Sequence, residues 1–481
     1  ETVIYGVDID YKAVTIASLT LTLSSLQHRD TSKPLPNLVG RTLIHQNSLM
    51  NTVPFKERDR AFKPLKREIA ILRRAKLSND TTFETKRVKL QEKVAHYVDS
   101  TLGDQAPLLN AECLEINLPE VFFKADGTLD PCGGFTCVVG NPPWETWKPN
   151  SDEFYSQYDP DYLALKNAKR KKQRQKQLQI QFQLLDKRWM EYSERIAAGS
   201  KFLRDTKNFQ FQSWVVAGRK TSGDLNLYKA SVERFYQCMQ QNGRLGVLVP
   251  DNFATDMGAT GLRHMVFDHS QISEYLSFEN RKGIFKAVHR SYKFAVLLLE
   301  KKKPSEPDFH AFFYKDNLEA LGDQSEKLTY AMSDVKKNKE LLSLVEPQSQ
   351  AQFDVYHKMT GKFPSFGETK PFKLGRDFDR TNDSAYFSME ENSNTFPLYE
   401  GKNFNQFTIK SLPAEFATQE GVLKKIHPDE EDWRIAFRAI ARATDKRSLI
   451  ATLLPKGAVA ANSAIIQKDV KNVTIQDRLF Y

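Results

Sequence analysis

Phe135-Thr136-Cys137-Val138-Val139-Gly140-Asn141-Pro142-Pro143-Trp144 is the stretch on which the reading of this chain turns. Its first six residues are apolar and rich in β-branched side chains, which predicts a buried strand. The next four cannot continue it. Two prolines fix φ and remove two N–H donors, so the strand ends in an irregular turn whose carbonyls stay open as acceptors. In an open α/β sheet, ligands bind at that carboxyl edge. Asn141 adds a neutral amide oxygen and Trp144 a wide flat surface. Two acceptors beside a stacking plate suit the exocyclic amine of a nucleobase. A rigid surface turn with a partly buried Trp is the simpler reading of a bare Asn-Pro-Pro. The strand before it and the aromatic after it favour the functional one.

The motif resembles the (N/D)-P-P-(Y/F/W) motif of S-adenosylmethionine-dependent amino-methyltransferases, in the adenine-N6 DNA branch. The resemblance implies that Asn141, Pro142, Pro143 and Trp144 are catalytic. Hydrogen bonds from the adenine N6 protons to the Asn141 side chain and the Pro142 carbonyl would free the nitrogen lone pair for in-line attack on a methyl sulfonium. No strong base is then needed. Trp144 would hold the base by stacking once it is flipped out of the duplex, as enzymes that modify a base inside a duplex require.

Other segments agree, in the family's order. Ile4-Tyr5-Gly6-Val7-Asp8-Ile9-Asp10 is similar to the strand that carries the cofactor's ribose acceptor. Asp8 matches that carboxylate, a good partner for a vicinal diol, and Ile9 the apolar neighbour of the cofactor adenine. An N-cap is an equally good reading of a strand ending in Asp. Asn47, with Ser48 beside it, stands where the family contacts that adenine, and an Asx-turn is the competing reading. Gly223-Asp224-Leu225-Asn226-Leu227-Tyr228-Lys229 opens a helix expected to run to about Gln240 and stop at Asn242-Gly243. Arg244 to Pro250 reads as the next strand. Arg290 to Leu299 resembles a final hairpin, in which Tyr292 or Phe294 would face the flipped base, the other being core.

The family's Gly-rich cofactor loop should lie upstream of Glu1, so the expected fold is N-terminally incomplete. Its missing strand would come from the same polypeptide or another subunit. The 481 residues allow two or three domains, and 70 Lys and Arg against 60 Asp and Glu leave a net charge of +10. That charge fits a polyanion without separating DNA from RNA. Cys113, Cys132, Cys137 and Cys238 lack zinc-ligand spacing, and no metal site is expected. Cys137 and Cys238 fall in core-like positions. No leader or membrane-spanning run is visible, and a cytoplasmic location is expected.

The expected architecture is α/β: a doubly wound, Rossmann-like methyltransferase core over 1–50, 120–150 and 221–303. Helical insertions would occupy 51–119 and 151–220, and a linker with the start of a target-recognition domain 304–481. The second insertion carries Lys169, Arg170, Lys171 and Lys172, expected to meet DNA phosphates. Solvated helices are an even alternative for the first. In the tail, Tyr399, Lys402, Arg438 and Arg442 are candidate DNA contacts in a region that resembles large fused restriction-modification methylases of the type IIG kind. Phage-defence methylases of the BREX or DISARM kind share that resemblance. The implied activity is methyl transfer from S-adenosylmethionine to adenine N6 in double-stranded DNA, in restriction-modification or phage defence. A catalytically silent DNA-binding subunit, or a methyltransferase for RNA or a protein glutamine, are the alternatives.

Overall fold

The computed structural model describes residues 4–26, 35, 37–216, 218–220, 225–323, 325, 327–364, 373–426, 432–441, 447 and 449–468. Near the N-terminus, β1 (Gly6–Asp8) pairs in parallel with β2 (Leu43–His45), and helix α1 (Tyr11–Ser25) connects them. Asp10 caps α1 by accepting from the Lys12 amide, so the cap falls one position beyond Ile9 rather than on Asp8.

The main sheet has six strands in the order β8-β7-β5-β6-β4-β3. These are β3 (Phe135–Gly140), β4 (Met239–Pro250), β5 (Gln271–Glu279), β6 (Lys293–Glu300), β7 (Asp308–Lys315) and β8 (Leu328–Ala331). The pairs β3·β4 and β5·β7 are parallel, while β6 runs antiparallel between β4 and β5. The sheet is therefore mixed α/β. Alternation in its strands puts Leu248, Leu276, Phe278, Phe294, Val296 and Phe312 into one cluster, which Trp144 joins.

The structure corrects three expectations. β3 is an edge strand, not a buried one: Thr136, Cys137 and Val139 are exposed, because among the described residues β3 pairs only with β4. Cys137 is therefore outside the core, whereas Cys238 is buried. Helix α6 (Leu227–Cys238) stops short of Gln240, because Met239 already pairs with Phe135; Asn242 then takes a left-handed φ of 61° inside β4. Finally, the sheet does not end near Lys303. β7 and β8 extend it, and the chain divides instead between Phe353 and Asp354.

The first insertion is part of the core. Its helices α2 (Lys66–Leu77) and α3 (Phe83–Val94) send Ile69, Leu72, Phe83, Leu90 and Val94 into a cluster with Ile44 of β2, Tyr5 and Phe135. Lys76 is buried and paired with Glu120 at 3.0 Å, so it is not a surface cation. The second insertion builds its own centre from Phe154, Tyr155, Tyr162, Leu178 and Leu185, with Tyr158, Trp189 and Tyr192 around them. It contains α4 (Ala168–Gln181), capped by Asn167, and α5 (Leu185–Arg204). Helix α7 (Thr260–His269) follows β4.

The second unit, Asp354–Tyr481, holds two four-stranded sheets among its described residues. Arg434 grips Asp377 with two hydrogen bonds, at 3.1 and 2.8 Å, and both are buried. Lys468 adds a third at 2.6 Å. Tyr399 is 2% exposed and packs with Phe404, Ala436 and Leu454, so it is a core residue and not a DNA contact.

Gly199 lets α5 approach Trp147: a Cβ there would lie 2.6 Å from the indole Cζ2. Overpacking costs about 1–3 kcal/mol, and the helix preference of Ala over Gly, about 1 kcal/mol, offsets only part of that. Gly199→Ala should therefore lower the urea midpoint of unfolding. A midpoint equal to or above wild type would show that the indole moves aside without cost.

Candidate functional site

At the end of β3, Asn141 and Pro143 are exposed and Pro142 is buried. The Asn141 amide has no hydrogen-bond partner among the described residues. Trp144 lies half-buried against the phenylalanine cluster of the sheet. Its Nε1 is buried without a partner among the described residues. Tyr292, just before β6, faces it: the ring centroids are 6.5 Å apart and the planes 25° from parallel. Tyr292 is 53% exposed, whereas Phe294 is 3% exposed and stacks on Phe278 at 5.3 Å. Of the two candidate aromatics, the structure brings Tyr292 to the turn and gives Phe294 to the core.

The turn is anchored on its downstream side. Asn226 Nδ2 donates to the Trp144 carbonyl at 2.9 Å, and Asn226 Oδ1 accepts from the Tyr228 amide, capping α6. Leu227 N donates to Glu145 O at 2.9 Å and Trp147 N to Leu225 O at 2.6 Å. Trp147 Nε1 donates to Ile196 O of α5 at 2.7 Å, which ties the second insertion to the same segment. In the sequence, Asn226 stands out only as part of a motif and Trp147 not at all. A signal for both exists there: a cap-forming Asn before a helix, and a turn with two missing donors.

The β1 and β2 ends bring Asp8, Ile9, Asn47 and Ser48 together. Asp8 pairs with His45, and its carbonyl accepts from Gln46 N at 2.9 Å. The exposed Asp8 carboxylate accepts from Asp10 N with one oxygen, at 2.7 Å. Ile9 is 66% exposed. Asn47 Oδ1 accepts from Leu49 N at 3.1 Å, the Asx-turn of the competing reading, which leaves its NH2 as donor. Buried groups hold this loop from below. Gln46 bonds Glu112 O and Asn117, and Arg234 of α6 donates to Ser48 O at 3.1 Å. Glu115 sits in the same interior: burial works to raise its pKa, but Arg234 and Arg58 hold it below the usual range.

The candidate DNA contacts divide. Lys169, Arg170 and Lys172 are exposed on α4 and make no ion pair among the described residues. Lys171 differs, since it is bound to Asp152 at 2.5 Å. In the second unit Lys402 is exposed but pairs with Glu400 at 2.6 Å. Arg438 spends its guanidinium on the Phe404 carbonyl and Asn405, which removes it as a free contact. Arg442 lies outside the described residues. No group of three or more His, Cys, Asp or Glu that would hold a metal exists among the described residues. None of their helices is long and apolar enough to cross a membrane.

Residues 2–207 match the Eco57I restriction-modification methylase family. No curated protein sequence is a significant match. Among solved structures, the chain is similar to DrdV in its DNA complex, at 9% identity and a TM-score of 0.41, over 96% of this chain and 42% of that one. It is also similar to the type IIL restriction-modification enzyme MmeI in complex with DNA, at 11% and 0.30, over 70% and 41%. A third likeness is to the M protein of the type I restriction enzyme EcoKI, at 17% and 0.18, over 28% and 29%. The chain thus spans less than half the length of each.

Glu233, on the helix that anchors the turn, gives a pH-dependent observable. It is buried, and burial pushes its carboxyl up to about 7 against bonds from Gln212, Phe211 and Gln210 that favour the anion. An acid whose folded pKa is raised stabilises the fold fully below its unfolded value and loses that contribution as pH rises to the folded one. Stability should therefore fall between about pH 4.5 and about pH 7, by on the order of 3 kcal/mol for this group. Glu233→Gln should flatten that part of the curve in urea titrations. An unaltered slope would assign it to other groups.

Proposed function

We propose, from the Eco57I restriction-modification methylase domain that residues 2–207 carry, that the protein methylates double-stranded DNA at the N6 amine of adenine, in restriction-modification or phage defence. The observation that carries this reading is the open Asn141 amide beside Trp144, with Tyr292 nearly parallel to it at 6.5 Å. A centroid distance of 6.5 Å lies within the range of about 4.5–7 Å for an offset aromatic pair, so a planar base would enter as the two rings part.

Within that pocket each residue has a separate task. Asn141 Oδ1 and the Pro142 carbonyl accept the two N6 protons. The nitrogen lone pair then leaves conjugation with the ring and points at the incoming carbon. Because both acceptors are neutral, they would hold both protons on the amine while the carbon–nitrogen bond replaces the carbon–sulfur bond, and the surplus proton would then leave to solvent. Trp144 and Tyr292 hold the base against return to the duplex.

The residues at the β1 and β2 ends fit S-adenosylmethionine: an exposed carboxylate for a diol, an exposed Ile9 for an adenine face, and an amide at Asn47. When bound, that cofactor supplies a methyl group on a sulfonium. The complete pocket needs one more strand. The open edge of β3, where Val139 is 78% exposed, and the uncovered apolar side chains of α1, Ile16, Leu19 and Leu23, support a strand and helix supplied from outside the described residues. The Tyr5 and Phe135 rings, with centroids 5.5 Å apart, put the starts of β1 and β3 on one cluster, an arrangement compatible with a doubly wound sheet.

Asn141→Ala in the full-length enzyme should leave DNA binding intact and cut turnover by the roughly 10²–10³ typical of losing one preorganised hydrogen-bonding group. Methyl transfer to a tritium-labelled DNA product measures this, and normal turnover would remove Asn141 from the site. If the wild type labels no DNA but labels RNA or a protein, the substrate class is wrong. If it labels nothing and still binds DNA, the silent-subunit reading takes over.

The phosphate grip is narrower than the run of four cations. Replacing Lys169, Arg170 and Lys172 with Gln should make log affinity against log salt shallower by about 0.9 for each phosphate that is no longer neutralised. Sequence preference should survive, since phosphate contacts position and base contacts specify. Lys171→Gln alone should barely alter the slope. An unchanged slope in the triple variant would move the DNA path elsewhere.

A further inference from the structure

We infer that Asn226 is a positioning residue for the Asn141–Trp144 turn, a role that rests on the methyl-transfer reading above. The turn has a structural problem of its own. Pro142 and Pro143 offer no N–H, and the Asn141 amide and Pro142 carbonyl must stay open for the substrate amine. The turn therefore cannot be held by the groups that would ordinarily hold it, and a donor has to come from elsewhere.

Asn226 supplies that donor. Its Nδ2 reaches the Trp144 carbonyl at 2.9 Å, the one side-chain hydrogen bond to residues 141–144 among those described. Its Oδ1 accepts from Tyr228 N at 3.1 Å and starts α6. One amide thus serves two partners of opposite polarity. Asp or Ser would cap the helix about as well as Asn, but Asp has no donor and Ser is too short to span both partners. The residue type follows from the latch, not from the cap.

What the latch is tied to matters as much. Helix α6 buries Tyr228, Ala230, Val232, Glu233 and Arg234, and Glu233 accepts the amides of Gln210 and Phe211. Arg234 reaches the Ser48 carbonyl. α6 is a fixed reference between the β2 end and the proline turn. Asn226 transfers that reference to Trp144, the ring expected to stack on the base. Leu227 N to Glu145 O and Trp147 N to Leu225 O hold the segment after the turn, one and three residues beyond Trp144.

The test uses Asn226→Asp and Asn226→Ser in the full chain, both of which keep a cap and remove the latch; if one fails to fold, the other carries the experiment. Turnover for DNA methylation should fall about 10–100-fold, in line with the cost of an ångström-scale misplacement. KM for S-adenosylmethionine and for DNA should stay within about threefold, and the melting temperature should be retained. Hydrogen exchange gives a readout independent of the reaction: uptake in a peptide covering 144–148 should rise while that of α6 stays constant. Asn226→Ala should lose both turnover and melting temperature. If Asp restores both, Asn226 is a helix cap only and the inference fails. Unchanged uptake in a folded Asp or Ser variant also overturns it. Raised uptake in the variants of a chain whose wild type methylates no DNA would keep the latch and sink the methyl-transfer reading instead.

Discussion

Two consecutive prolines at the end of β3 remove the backbone donors that would ordinarily fix a turn, and much of unit 1 is organised around that deficit. The strand itself cannot supply rigidity, because β3 is paired on one side only among the described residues. Support therefore arrives from downstream in sequence. The backbone of 225–227 pairs with 145–147, and an amide side chain closes the last gap to Trp144. Trp144 is then pressed on the phenylalanine face of the sheet, so its plane is set by packing on one side and by a hydrogen bond through its carbonyl on the other.

The two insertions play different physical parts in that arrangement. The first is continuous with the core beneath β1 and β2, and its buried polar groups hold the Gln46–Leu49 loop by its backbone and amides. Removing it would strip those strand ends of their support. The second has an aromatic centre of its own and meets the segment after the proline turn at Trp147, where Gly199 permits contact with the indole. A shift of its helices would be passed to that segment through this contact.

Much of this was legible in sequence where the chemistry is local. The strand end before Asn-Pro-Pro-Trp, the strand end at Asp8 and a helix beginning within Asn-Leu-Tyr depend on neighbours in the chain, and these elements are found at those residues. What failed depended on distant partners. Val138 and Val139 look like a buried run, but burial needs a second neighbouring strand. Alternation could say that one of Tyr292 and Phe294 is core, yet only the course of β6 shows which. Tyr399 has the composition of a DNA contact and the environment of a core residue, since the strand Thr395–Tyr399 turns its last residues inward. The break expected near Lys303 came from a change of composition, which β7 and β8 cross without leaving the sheet.

Cations show the same limit most sharply. A net charge of +10 states how much positive charge exists and not how much is available. Arg434 is committed to Asp377, Arg174 to Asp159 at 2.7 Å, Lys171 to Asp152, and Lys76 to Glu120. A cation neutralised in such a pair adds little to the field that a polyanion would meet. On α4 the pairing follows the helix period: Lys171 and Arg174, three apart, turn toward the acidic residues of 152–159. Lys169, Arg170 and Lys172 stay exposed, in a helix whose cap, Asn167, accepts from two amide donors of the first turn, those of Lys169 and Arg170. A run of four adjacent cations thus resolves, by helical geometry alone, into one internal strut and three surface charges. Only the surface charges have the exposure that phosphate binding requires.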